Sequence, residues 1–73
     1  DLDGLMTALR REIKAKEVDY SIYAYSIIGF DATTISNLLD LSVNQVYIRK
    51  SRIKRQIENS GSENKTRFLE MLS

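Results

Sequence analysis

Apolar residues recur along this chain at helical spacing, and polar punctuation divides them into four or five segments. Leu5, Met6, Leu9 and Ile13 form one stripe, with Arg10, Arg11, Lys14 and Lys16 on the other faces, which predicts an amphipathic helix from about Leu5 to Lys16. A second is predicted from about Val18 to Ile28. Its inner row is Val18, Ile22, Tyr25 and Ile28, widened by Tyr23 and Ile27. Glu17 and Asp19 fall in its first turn, where negative charge suits the helix dipole, and Gly29 supplies a left-handed C-terminal cap. Asp31 is a good N-cap for a third helix from Ala32 to about Asp40, whose buried row is Ile35, Leu38 and Leu39 with the small Ser36 beside it. Ser42 caps a fourth, which runs to about Ser60 and carries Val46, Lys50, Ile53 and Ile57 at helical spacing. The last, about Glu63 to Leu72, gathers Phe68, Leu69, Met71 and Leu72 near its end, and either Ser62 or Asn64 caps it. There is no proline and little β-branched alternation, so an all-α fold of four to five helices is expected.

The link between the third and fourth segments is the informative one. Leu41 and Ser42 alone separate them. Helices joined so tightly do not fold back antiparallel; they cross steeply, which is helix-turn-helix geometry.

Size narrows the picture further. With 73 residues the chain is read as one domain with a modest core, residues 17–73 forming its centre and 1–16 a leading helix. The chain begins with Asp1, so it reads as excised from a longer protein, and the leading segment is either a domain helix or the end of an upstream region. Cysteine and histidine are absent, leaving carboxylates as the remaining metal ligands, without calcium-loop spacing; no cofactor is expected. No apolar run approaches the roughly 20 residues of a membrane helix and no signal peptide is visible, so a cytoplasmic location is expected.

The net charge is only +1, yet its distribution is uneven. From Glu17 through Ile48 every charge is acidic, and then Arg49, Lys50, Arg52, Lys54 and Arg55 follow within two turns. A dense basic stripe in a near-neutral chain is a footprint for an anionic partner. The fourth helix presents, opposite Val46, Ile53 and Ile57, a face of Asn44, Gln45, Tyr47, Ile48, Ser51, Arg52 and Arg55. Amides and guanidinium groups bond base edges in pairs, and Ile48 suits a thymine methyl, so these seven are the candidate base contacts. Lys50 and Lys54 flank them and join Arg49, Thr33 and Thr34 as candidate phosphate contacts, the threonines at a helix start with free amides. Thr33 and Thr34 also suit plain helix initiation, and Arg49 also suits an ion pair with another helix. Asp40 is placed facing away from the duplex, since it would repel phosphate. Tyr20, Tyr23 and Tyr25 are read as core and rim aromatics.

The stretch Ile27 to Arg55 resembles effector domains of the LuxR/GerE type, whose pattern is a glycine ending one helix, then S-N-K-E-I-A-x-x-L-x-I-S-x-x-T-V-K-x-H-x-x-x-I. Gly29, Ile35, Leu39, Leu41, Ser42, Val46 and Ile53 match it without a gap, and Asn64-Lys65-Thr66 resembles the N-R-T opening the family's final helix. Arg49 and Arg52 resemble region four of sigma factors, and the run Val46 to Lys54 is similar to Bacteroides-type transcriptional regulators. The resemblance covers roughly Asp19 to Leu72 and implies a winged-helix-like effector architecture, sequence-specific binding of double-stranded DNA, and a bacterial transcription regulator. Tyr47 stands where many members carry a DNA-contacting lysine, so the base preference should differ; Lys50 replaces an apolar residue, Asp31 a serine and Ser36 an alanine. The family's final helix often dimerises, so Phe68, Leu69 and Leu72 are either core or a seam with a second copy.

Catalysis is not expected. No histidine, cysteine, glycine-rich phosphate loop or paired-carboxylate motif is present, and no small-molecule substrate is anticipated. The competing expectation is a protein-interaction module, docking on RNA polymerase or a regulator partner through Tyr47, Ile48 and the apolar final helix.

Overall fold

The computed structural model describes residues 2–61 and 63–72, leaving aside the side chain of Leu2. Among these the chain forms five helices and no strand: α1 (Leu2–Glu12), α2 (Glu17–Ile28), α3 (Ala32–Leu39), α4 (Val43–Glu58) and α5 (Lys65–Leu72). Ser62, one of the caps expected for the last helix, lies outside the described residues.

The first helix ends a turn earlier than its periodicity predicts, and Tyr20 shows why. Its hydroxyl donates to the Ile13 carbonyl and accepts from the Ala15 amide at 3.0 Å, giving the backbone partners outside a helix. Arg10 lies 4.4 Å from the centre of the Tyr20 ring and holds both oxygens of Glu17 at 2.7 and 3.0 Å, closing the corner from outside. That bond keeps the Glu17 carboxyl below its ordinary range and raises Arg10.

Gly29 ends α2 with a φ of 110°, as expected. The Phe30 amide reaches back to the Tyr25 carbonyl at 3.1 Å, and the two rings meet with centroids 5.7 Å apart. This is a Schellman closure with its apolar clasp. Asp40 repeats the closure after α3: its φ is 56°, and the Leu41 amide bonds the Ser36 carbonyl at 2.9 Å. The third helix therefore stops at Leu39, and Asp40 belongs to the turn.

Two apolar clusters fill the interior. In the larger, Leu5, Leu9 and Ile13 of the leading segment meet Tyr20, Tyr23, Ile53, Ile57, Phe68 and Leu72. The leading segment is thus built into the domain core. Tyr23 packs edge-on against Phe68 and donates its hydroxyl to the Phe68 carbonyl at 3.0 Å; burial pushes this phenol up to about 12. The smaller cluster joins Ile22, Ile35 and Val46, with Val18, Tyr25, Leu39 and Leu41 around it. Two residues expected inside, Ile28 and Leu38, are each 54 % exposed. Each closes its helix just before or beside a left-handed turn, where the apolar stripe has run past its partners. Among the described residues no helix is long and apolar enough to cross a membrane.

Candidate functional site

Ser42 fixes where α4 begins. Its hydroxyl accepts from the Gln45 amide at 3.1 Å, and the Gln45 side-chain oxygen accepts from the Ser42 amide at 3.0 Å, a complete capping box. From there Val46, Ile53 and Ile57 turn inward and are buried. The remaining rotation leaves Asn44, Gln45, Tyr47, Ile48, Ser51, Arg52 and Arg55 exposed together, as the sequence predicts. Tyr47, Ile48, Ser51, Arg52 and Arg55 line one shallow concavity of about 430 Å³. A narrower one, about 240 Å³, runs between α4 and α5 and is lined by Tyr47, Lys50, Ser51, Lys54, Leu69 and Leu72.

Lys50, Arg52, Lys54 and Arg55 make no ion pair among the described residues, so their charge is open to an outside anion. Two apolar side chains accompany it: Tyr47 and Ile48 are 57 % and 51 % exposed on the N-terminal side of the cations. Such a surface can neutralise phosphates along its edges and offer guanidinium, amide and methyl groups at its centre.

Several expected contacts prove to be engaged within the molecule. Arg49 turns to Asp19 of α2, Nη1 to Oδ1 at 3.2 Å, and is the counter-ion of a carboxylate only 2 % exposed. It is an internal strut, because leaving the pair would strand a buried charge. Gln45 commits one lone pair of its side-chain oxygen to the capping box, which ties its amide to the start of α4. At the start of α3, Asp31 takes the place a phosphate oxygen would occupy. It accepts the Thr34 amide at 2.8 Å and a further bond from the Thr34 hydroxyl, which together hold its carboxyl below the ordinary range. Thr34 is therefore a capping partner, and of the amides expected to meet phosphate its own is taken. Thr33 is exposed, with its carbonyl accepting from Ser36. Of the seam candidates, Phe68 and Leu72 are buried in the chain's own core and Leu69 is half-buried against it, since a 73-residue domain has few other apolar residues to close this end.

The sequence reading missed the buried role of Asp19. It sits three and four residues before Ile22 and Tyr23, on the same helix face, and that register was the available signal. Compared with protein-family models, curated proteins and solved structures, the chain shows no match.

Proposed function

We propose that this chain binds double-stranded DNA sequence-specifically as a bacterial transcription regulator, with α3 and α4 acting as a helix-turn-helix and α4 lying in the major groove. The observation that carries the reading is the division of α4: one side is locked into both apolar clusters, and the other is a fully open face of amide, hydroxyl and arginine groups with unpaired cations. The three-residue link Asp40–Leu41–Ser42, closed tightly at both ends, supports the steep crossing that lets a second helix project. The likeness to LuxR/GerE effector domains points the same way, and the reading carries a cytoplasmic setting with it. The base-reading set is Asn44, Tyr47, Ile48, Ser51, Arg52 and Arg55, with Lys50 and Lys54 on phosphate. The role is one of binding, without catalysis.

Selection of bound sequences from a random duplex pool tests this. A consensus should emerge, and Arg52→Ala should weaken binding to it by about 1–3 kcal/mol while relaxing choice at one position. A pool that stays random after repeated rounds contradicts the reading. An equal loss on consensus and random duplexes would make Arg52 a backbone contact.

The exposed Tyr47–Ile48 pair beside the α4–α5 groove favours, as a second reading, a protein partner such as RNA polymerase. Charge reversal at Arg52 and Arg55 separates the two: DNA retention is lost, whereas an apolar protein contact persists.

A further inference from the structure

The open cations of α4 continue onto a part of the chain that is remote in sequence. The four residues between α1 and α2 carry Lys14 and Lys16, and both are exposed. Lys14 lines a concavity of about 400 Å³ together with Arg52, Arg55 and Gln56. On its other side Lys14 and Lys16 line a second, of about 330 Å³, again with Arg52 and Gln56. Arg52 thus stands between two hollows, each walled by a lysine of the α1–α2 corner.

That corner is held rigidly against α4. Gln56 Nε2 donates to the Lys14 carbonyl at 3.0 Å, and Tyr20 pins Ile13 and Ala15. Two acids also line these hollows: Asp19 is neutralised by Arg49, and Glu12, which accepts from Asn64, is outnumbered by Lys14, Arg52 and Arg55, while nearby Glu17 is paired with Arg10. The backbone that carries both lysines is thereby fixed, so an arriving anion has only their side chains to order.

We infer that Lys14 and Lys16 form a second phosphate-binding site, which grips the backbone of the duplex whose groove α4 enters. The inference rests on the DNA-binding reading above. With the face from Asn44 to Arg55 turned to the base edges, the α1–α2 corner, beside Arg52 and Gln56 on the flank of α4, stands at the rim of the groove. There the α1–α2 corner meets phosphate. The leading segment, outside the stretch that resembles known effector domains, acquires a role in binding as well as in the core.

Phosphate contacts do not depend on sequence, so a random-sequence duplex of about two helical turns is a sufficient probe. Its affinity is measured against salt for the wild-type chain, for Lys14→Gln/Lys16→Gln, and for a charge control, Lys65→Gln/Arg67→Gln on α5. Each lost phosphate contact should reduce the salt slope by about 0.9, so the double variant should be shallower by about 1.8. Between about 50 and 200 mM salt the wild type should then lose about tenfold more affinity than the variant does. The control should keep the wild-type slope. Equal slopes for the wild type and Lys14→Gln/Lys16→Gln overturn this site and leave the proposed function standing, as does an equal drop in the control. A wild-type chain that fails to bind the duplex at low salt overturns both.

Discussion

Asp19 and Arg49 show how a single ion pair decides what a helix face can offer. A carboxylate buried among Ile22, Tyr23 and their neighbours needs a counter-ion, and α4 supplies it from its flank, so one of five clustered cations is withdrawn from the surface. Removing the partner is far costlier than removing the pair, because the stranded charge loses its water without compensation. Arg49→Met should therefore destabilise the domain by about 3 kcal/mol in urea unfolding, and adding Asp19→Leu should recover most of the loss. A single variant as stable as the wild type would show that the pair holds nothing in place. The same reasoning separates Arg49 from Arg52 and Arg55, which have no such obligation.

At the level of elements, the ends of the helices carry the architecture. Gly29 and Asp40 both turn left-handed to stop α2 and α3, and Asp31 and Ser42 each restart the chain two residues later. A non-glycine residue in that conformation carries a cost of about 1 kcal/mol, so Asp40→Gly should raise stability by up to that amount, while Ser42→Ala should lower it by about 1 kcal/mol through loss of the capping box. Thermal or urea unfolding of the two variants, moving in opposite directions, checks both closures; a loss of stability in Asp40→Gly would contradict the first. These caps were legible in the sequence because serine, aspartate and glycine act on their own neighbours. Helix starts at Ala32 and Val43 and the burial of Ile35, Val46, Ile53 and Ile57 followed from the same local signals. What local pattern could not reveal was long-range. Tyr20 ends α1 from seven residues away, and Arg49 finds Asp19 thirty residues upstream. The exposure of Ile28 and Leu38 likewise depends on where neighbouring helices stop.

Taken whole, the molecule has the radius of gyration, 11.4 Å, of a folded unit of its length, for which about 11 Å is usual. α1 contributes fully buried side chains to that unit, and α4 touches α2, α3 and α5, so it serves as the axis on which the others are mounted. An axis so heavily packed has one side left, and that side carries the open cations. Labelling backbone amides with ¹⁵N and titrating in a DNA duplex would map the contact directly. The amides of Asn44, Tyr47, Ile48, Ser51, Arg52 and Arg55 should shift most, followed by those of Lys14 and Lys16, while α5 and the far side of α1 stay still. Shifts confined to α5, or none at low salt, would contradict the account.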